Sequence, residues 1–324
     1  MDFDFAGELP KFVQLLIGVA AFLAVVALIV LLLDSTPTRR RAWPHATILL
    51  APALLLLAIG LVIPAVRTTL LSFMSGDGQQ WVGLDNYAWM FTQPEAVTVL
   101  RNTLVWVLLV PILVTSVGLV YAVLVDRTRF EAIAKSLVFL PMAISFVGAG
   151  IIWRFVYAYR AEEQEQIGLL NQFVVALGGE PQQWLQEPPL NTLFLIVVMV
   201  WIQTGFATVV LSAAIKGIPA EIVEAARLDG ASPMQMFFRV TLPCIRSAVV
   251  VVLVTQSIGT LKLFDIVRTM TGGQFDTSVI ANEMYNQAFR YGETGKGAAL
   301  AVFLFVLVTP IVIYQIRQRR EAVR

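Results

Sequence analysis

The polar side chains that interrupt the apolar segments of this sequence are mostly amides and hydroxyls rather than catalytic groups. One apolar run carries Gln203 and Thr204, and a later run carries Gln256 and Thr260. Polar groups inside an apolar segment are costly to bury, so they are candidates for a functional site. Amides and hydroxyls hydrogen-bond to hydroxyl groups, and a ring such as that of Phe206 stacks on the apolar face of a sugar. This combination suits a neutral, polyhydroxylated solute.

The later run has a helical spacing that supports this interpretation. Gln256, Thr260 and Leu263 follow an i, i+4, i+7 pattern, which predicts that they share one face of a helix. Lys262 and Asp265, three residues apart on the same predicted helix, are expected to pair with each other or to anchor near the outer surface. Because no uncompensated charge lines the face, a neutral solute fits better than an ion. The alternative is simple hydrogen bonding between helices, worth about 0.6 kcal/mol per pair.

The sequence offers little for metal, redox or nucleophilic chemistry. Cys244 is the only cysteine and His45 the only histidine, and the carboxylates do not cluster, so neither a disulfide nor a metal site is expected. Residues 292–297 are rich in glycine, but Arg290 and Gly297 stand where a phosphate-binding loop needs its first glycine and its hydroxyl residue. We therefore expect a protein that binds no ATP, metal or other cofactor. A membrane-embedded enzyme is a weaker alternative.

The composition predicts helices that cross a membrane. Hydrophobic residues make up 58% of the chain and charged residues only 14%, against about 25% charged in soluble domains. A bilayer span needs about 20 mostly apolar residues. The predicted fold class is therefore all-α, a polytopic membrane helical bundle. Seven runs reach the required length, at residues 12–33, 46–66, 102–125, 135–158, 191–214, 246–267 and 298–316.

The loops between these runs predict a domain organisation and an orientation. Residues 1–44 are interpreted as an extra N-terminal transmembrane helix with a basic linker, and residues 45–324 as a six-helix core. Most Lys and Arg residues fall in one set of alternate loops, which includes the loop at residues 217–245. Positive charge concentrates on the cytoplasmic side of a membrane. We therefore expect the N-terminus outside and both the C-terminus and the 217–245 loop in the cytoplasm.

The 217–245 loop has the local signals of two short helices joined by a turn. Pro219 suits the first turn of a helix, and Gly230 is placed to end that helix in the left-handed conformation. Ser232-Pro233 supplies an N-cap and a first helical residue for the second helix. Leu242-Pro243 is expected to end the second helix before the next span. Apolar residues on these helices predict contact with a groove of a cytoplasmic protein, or, alternatively, packing on the bundle itself.

The spacing of this loop resembles the signature loop of permease subunits in binding-protein-dependent ABC importers. That signature is Glu-Ala-Ala, three residues, Gly, nine residues, an aliphatic residue, one residue and Leu-Pro. The similarity extends over about residues 45–317 and is greatest with the sugar-permease group, nearest to maltose and α-glucoside permeases of the first-subunit type. A large extracellular insertion of the enteric maltose-type subunit is absent here. The signature reads Glu224-Ala225-Ala226, Gly230, Val240 and Leu242-Pro243, with Val for the more usual Ile.

The resemblance implies a fold and a set of partners. The fold would be the type I, MetI-like permease core of six helices, here with one extra N-terminal helix. The partners would be a second permease subunit forming a heterodimer, two cytoplasmic ATP-binding subunits, an extracytoplasmic solute-binding protein, membrane lipid and a sugar, with no nucleic acid. The location would be the bacterial cell (inner) membrane. ATP hydrolysis would belong to a separate subunit, so the chain would be a transporter subunit and not an enzyme.

The resemblance also assigns roles to individual residues. The implied solute is an α-glucoside or another oligosaccharide, and the alternative solutes are a polyol or a glycerol-phosphate-like compound. A less favoured alternative for the protein as a whole is a stand-alone secondary transporter. Sugar contacts are implied at Gln203, Phe206, Gln256, Gly259, Thr260 and Leu263. Coupling to the ATPase is implied at Glu224, Ala225, Ala226, Asp229, Gly230, Met234, Phe237, Leu242 and Pro243.

Overall fold

A computed structural model shows the described part of the chain as helical. The only β-structure among the described residues is an isolated bridge between Met74 and Trp81. The predicted all-α class is confirmed. The chain divides into two compact units, Met1–Arg67 and Thr68–Arg324. The described residues are 42–126, 128–161 and 163–322, with isolated positions between 13 and 20.

The helices include both long spans and short surface elements. Turns of π-helix lie at Ala58–Val62, Phe237–Thr241 and Asn286–Arg290, and a 3-10 turn lies at Leu140–Ala143. The α-helices, in chain order, are α1 (Ala42–Leu57), α2 (Ile63–Leu71), α3 (Asp85–Thr92), α4 (Pro94–Val125), α5 (Glu131–Phe139), α6 (Phe146–Val156), α7 (Leu169–Ala176), α8 (Leu190–Lys216), α9 (Ala220–Leu228), α10 (Pro233–Met236), α11 (Leu242–Cys244), α12 (Arg246–Leu261), α13 (Asp265–Met270), α14 (Ile280–Tyr285) and α15 (Thr294–Ala322).

The described residues contain four straight helices that are long and apolar enough to cross a bilayer. Two further helix pairs qualify if each bent pair counts as one span, which gives up to six. The run at 12–33 lies outside the described residues except for isolated positions, so a total of seven spans stays a prediction. The straight spans are Thr47–Leu71, Pro94–Val125, Leu190–Lys216 and Thr294–Arg317.

The core forms where α4 crosses α8. Trp106 and Val114 of α4 and Leu195 and Leu211 of α8 are fully buried in one apolar cluster, to which α6, α12 and α13 also contribute. Gly118 of α4 lies directly on α8, and small residues at such crossings let membrane helices approach closely. The crossing therefore holds two of the long spanning helices together.

The predicted run at 135–158 is a bent pair rather than one straight helix. Helices α5 and α6 meet at an angle of 100° around the 3-10 turn that contains Pro141. Proline has no backbone N–H and does not continue a helix well. Ser145 then starts α6 as its N-cap, because its hydroxyl accepts the N–H of Gly148 at 3.1 Å.

The prediction of one continuous helix over residues 246–267 is also wrong. Helix α12 ends at Leu261, and the chain turns through Lys262 before α13 begins at Asp265. Lys262 and Asp265 are therefore not on one helix, and the described ion pairs include neither. The turn lets the apolar residues of α13, including Ile266, become fully buried in the core. In a membrane-embedded bundle, such burial stabilises through van der Waals packing rather than through transfer out of water.

The long turn after α13 is held by side chains from the ends of two spans. Phe275 and Asp276 have positive φ angles of 55° and 57°, a conformation that is costly for residues other than glycine. Asn102 of α4 donates to the carbonyl of Asp276 at 2.5 Å, and Asn191 of α8 donates to the carbonyl of Phe275 at 2.6 Å. Both amides are buried, so the turn is fixed to the bundle.

Candidate functional site

The segment of residues 217–245, here called the coupling segment, connects the spans α8 and α12. Its first helix, α9, ends in the predicted left-handed turn, with Gly230 at a φ of +78°. The N–H of Ala231 donates to Ala226 O at 3.1 Å and the N–H of Gly230 donates to Arg227 O at 3.0 Å. These two bonds form a Schellman motif, which satisfies the last carbonyls of the helix. The predicted end of this helix is confirmed.

The second helix starts as predicted, but the helical segment does not end at Leu242-Pro243. Ser232 and Gln235 form a reciprocal capping box at its start. After the four residues of α10 the chain forms a π-helical turn, and Leu242-Pro243 begins the short helix α11 instead of ending the segment. A proline disrupts the hydrogen bond to the carbonyl four residues earlier, and a wider π turn accommodates it. The break before α12 lies at Ile245.

The coupling segment exposes large apolar side chains. Leu228 is 89% exposed, Met234 68% and Phe238 56%. Phe237 is half-buried, and its ring centroid lies 4.9 Å from that of Phe238. Among the other residues implied for coupling, Ala226 and Leu242 are half-buried. The remaining ones are exposed: Glu224, Ala225, Asp229, Gly230 and Pro243.

Behind the coupling segment lies a cavity of about 350 Å³. Its walls are mostly apolar and come from the ends of α4 and α8 and from the inner face of the segment, for example Val123, Ile215, Val223 and Phe237. The segment is therefore only partly packed on its own bundle. Side chains that line a cavity have fewer contacts than packed ones, so they hold the segment less firmly. The empty volume also leaves the segment room to shift relative to the spans.

A group of charged side chains fixes the end of α8 just before the coupling segment. Glu131 of α5 lies 2.5 Å from the ammonium groups of both Lys135 and Lys216, and Lys135 also donates to the hydroxyl of Ser212. Lys216 is the last residue of α8. One carboxylate between two cations ties the bent helix pair to the start of the segment.

The residues implied for sugar binding fall in two environments. Gln203 and Phe206 of α8 are half-buried, and Gly259 of α12 has open space around the position of a Cβ atom. Gln256 and Thr260 are 2% exposed, and the Thr260 hydroxyl donates to the carbonyl of Gln256 at 2.7 Å. The structure thus places the two buried residues together on α12.

Leu263 departs from the predicted helical face. It follows the end of α12, is 5% exposed and packs in the apolar core. The i, i+7 relation to Gln256 fails because the helix ends at Leu261.

Two buried polar groups of α4 were not singled out by the sequence. The Trp106 Nε1 and Thr115 Oγ1 atoms of α4 are buried, and so is the Gln256 Oε1 atom of α12, and none has a hydrogen-bond partner among the described residues. A buried polar atom without a partner is costly, so such atoms accumulate where a ligand or water supplies the missing bond. The signal in the sequence was a tryptophan and a threonine within an apolar run.

Comparison with known proteins identifies the family. Residues 98–321 match the model of the binding-protein-dependent transport system inner membrane component. The chain belongs to this family. It is therefore a polytopic membrane component of a transport system and not an enzyme, as predicted.

Two curated relatives are similar over most of their length. The osmoprotective compounds uptake permease protein GgtC of Synechocystis is 51% identical over 267 residues, which cover 82% of this chain and 96% of that protein. The α-glucoside transport system permease protein AglF of Rhizobium meliloti is 52% identical over 269 residues, which cover 83% of this chain and 80% of that protein.

Solved structures support the predicted fold. A bacterial ABC transporter that imports the acidic polysaccharide alginate superposes with a TM-score of 0.72 at 24% identity, covering 86% of this chain and 96% of that chain. The MetNI methionine ABC transporter superposes with a TM-score of 0.51 at 18% identity, covering 74% of this chain and 98% of that chain. The predicted MetI-like permease fold is thus confirmed, with four to six spans among the described residues.

Proposed function

We propose that this chain is the permease subunit of an ATP-driven, binding-protein-dependent importer of α-glucosides or related oligosaccharides. The observation that carries the proposal is the exposed apolar surface of the coupling segment, held between two spanning helices. A second permease subunit completes the translocation path, two ATP-binding subunits dock on the cytoplasmic side, and a solute-binding protein delivers the solute from outside. The N-terminus lies outside and the C-terminus in the cytoplasm of a bacterial inner membrane.

In this proposal residues 45–324 form the permease core with its coupling segment. The predicted extra transmembrane helix and linker at residues 1–44 lie almost entirely outside the described residues. Leu228, Met234 and Phe238 insert into grooves on the ATP-binding subunits, a helix-in-groove contact. Closure of those subunits on ATP pushes the coupling segment. The Glu131 ion pairs pass this movement to α5 and α8, and the cavity behind the segment accommodates part of it.

The solute passes between α4, α8 and α12. Gln203, Phe206, Gln256, Gly259 and Thr260 contribute amides, a ring and open backbone to this path, and Leu263 shapes it from the core. A neutral sugar supplies the hydrogen bonds that the buried atoms Gln256 Oε1 and Trp106 Nε1 lack. The name of one relative, an α-glucoside permease, supports the choice of solute.

Replacement of Leu228 tests the docking surface. We expect Leu228→Asp to weaken binding of the ATP-binding subunits by about tenfold or more, because it puts a charge into an apolar contact. Pull-down of those subunits at increasing salt measures the change. The matched control is Leu177→Asp: Leu177 is 86% exposed and, like Leu228, lies within two residues of a glycine with positive φ, but it follows α7. Equal binding by the two variants would contradict the docking role.

Uptake by cells that lack the gene tests the transport function. We expect deletion to abolish high-affinity uptake of labelled α-glucosides such as trehalose and maltose, and re-expression of the chain to restore it. Labelled glycerol 3-phosphate and a polyol serve as comparison solutes. Uptake that needs the binding protein and persists with a protonophore excludes a stand-alone proton-coupled transporter. Loss of polyol uptake alone would contradict the sugar assignment.

A further inference from the structure

A cavity of about 400 Å³ lies at the end of the bundle opposite the coupling segment. Two arginines from different elements line it, Arg154 in the last turn of α6 and Arg268 in α13. We infer that this arginine pocket binds a carboxylate side chain of the solute-binding protein. The inference rests on the proposed function, because it names one contact that docking of that protein makes.

The side of the membrane follows from α8. This helix has 27 residues and is about 40 Å long, so it crosses a bilayer. Its last residue leads into the coupling segment, whereas its first residues lie beside the pocket: Trp184 and Leu185 line the pocket just before α8 begins. The coupling segment and the arginine pocket are therefore on opposite sides of the membrane.

The partners of both guanidinium groups among the described residues are neutral. Arg154 donates to the carbonyl of Thr269 at 3.4 Å. Arg268 donates to Asn286 Oδ1 at 3.0 Å, and its guanidinium carbon lies 4.7 Å from the centre of the Tyr285 ring. These contacts orient the side chains but leave both positive charges uncompensated. The described ion pairs include neither arginine.

Two uncompensated like charges around one cavity favour an anion. A guanidinium has five N–H donors in a fixed fork, and each arginine uses only one of them in the hydrogen bonds above. The remaining donors match the geometry of a carboxylate, which arginine binds through two parallel hydrogen bonds. The shared positive potential also speeds the approach of an acidic partner.

The walls of the pocket are formed before anything binds. The Trp184 indole N–H donates to Asn171 Oδ1 at 3.0 Å, and the Tyr157 hydroxyl donates to the carbonyl of Phe194 at 3.1 Å. On the opposite wall, Asn191 holds the turn at Phe275. A preformed pocket loses little entropy on binding. Its volume exceeds that of a carboxylate alone and accommodates a side chain presented on a protein loop.

The uncharged path inside the bundle favours a protein as the source of the carboxylate. An anionic solute that enters the arginine pocket would next meet Gln203, Gln256 and Thr260, which carry no positive charge. Burial of an unpaired anion there would be costly. A carboxylate that belongs to the docked protein stays at the surface and never has to make that passage.

Reconstitution of the complete transporter tests the inference. The four-subunit complex is placed in nanodiscs, and ATPase activity is measured against the concentration of sugar-loaded solute-binding protein. We expect Arg154→Gln and Arg268→Gln each to raise the half-maximal concentration by about tenfold, with unchanged activity at saturation. The wild-type value should rise steeply with salt, and that of the double variant only weakly. The matched control is Arg101→Gln. Arg101 is exposed, lies near the N-terminal end of α4 and does not line the pocket, so its replacement should change the half-maximal concentration less than twofold.

Each outcome bears on the inference separately from the function. An unchanged half-maximal concentration in the double variant overturns the carboxylate contact while the transport function stands. Failure of the binding protein to stimulate the wild type overturns the proposed function as well. If the variants change only the concentration of sugar needed, the pocket binds the solute and the inference is wrong. Charge reversal provides a second measurement. We expect Arg268→Glu to raise the half-maximal concentration of the binding protein, and replacement of one acidic rim residue of that protein by lysine to lower it again.

Discussion

Replacement of Gly230 by valine is expected to reduce transport by about five- to thirty-fold while the protein still inserts into the membrane. Gly230 has a φ of +78°, and a Cβ atom added there meets no atom within 4 Å. The penalty is therefore backbone strain alone, about 1–2 kcal/mol for a residue in the left-handed conformation. That energy changes the population of the capped turn by the stated factor. Because the turn sets the angle between α9 and α10, the apolar side chains lose their joint fit to the ATP-binding subunits.

Solute uptake and solute-stimulated ATPase activity of purified complexes measure this effect. Gly178→Val is the matched control, since Gly178 has a φ of +81°, open surroundings and the same Schellman motif after α7. It lies on the opposite side of the membrane from the coupling segment. Gly230→Asn should retain more activity than the valine variant, because asparagine tolerates positive φ. Equal loss in the Gly178 and Gly230 variants would contradict a specific role in coupling.

Replacement of Gly118 by alanine is expected to destabilise the isolated subunit by about 1–3 kcal/mol. A Cβ atom at Gly118 would lie 2.5 Å from the Cβ of Ala207 and 3.1 Å from the backbone nitrogen of Thr208. Backbone cannot yield as a flexible side chain does, so α4 and α8 must separate. Their separation loosens the packing around Trp106, which is fully buried in the core.

Thermal unfolding in detergent, followed together with the elution profile of the protein, measures this loss. Gly60→Ala is the control, because Gly60 also lies in an apolar span but a Cβ there meets nothing within 4 Å. Adding Ala207→Gly to the Gly118 variant removes the Cβ contact and should restore part of the stability. No rescue, or an equal loss at Gly60, would contradict the role of this crossing.

Local signals in the sequence predicted the coupling segment well. A helix end depends on a few neighbouring residues, so Gly230 and Ser232 were sufficient to predict the left-handed stop and the new N-cap. The same local reasoning failed at Leu242-Pro243, where a π turn accommodates the proline and moves the break to Ile245. A π turn differs from an α turn only in that its hydrogen bonds span five residues instead of four. No particular residue type is needed for this change, so the sequence carries no local signal for it.

Hydropathy predicted the apolar runs but not their bends. The runs at 135–158 and 246–267 are apolar enough to span a bilayer, and an apolar residue is equally compatible with a straight or a broken span. Helix α13 turns away from α12 because burial of Ile266 and its neighbours against α6 and α8 favours this direction. That preference depends on residues of α6 and α8 that lie far away along the chain, outside the window of sequence from which hydropathy is read.

The sequence by itself determined the class of the protein, its apolar runs and the motif Glu224-Ala225-Ala226 with Gly230 and Leu242-Pro243, because these depend on composition and on short spacings. Tertiary structure alone decided which polar groups share a space. Arg154 and Arg268 line one pocket, and Gln256 and Trp106 are buried without a hydrogen-bond partner among the described residues, only because separate helices pack together. The energy of a charge or a buried amide depends on its neighbours in space, and the order of residues does not specify those neighbours.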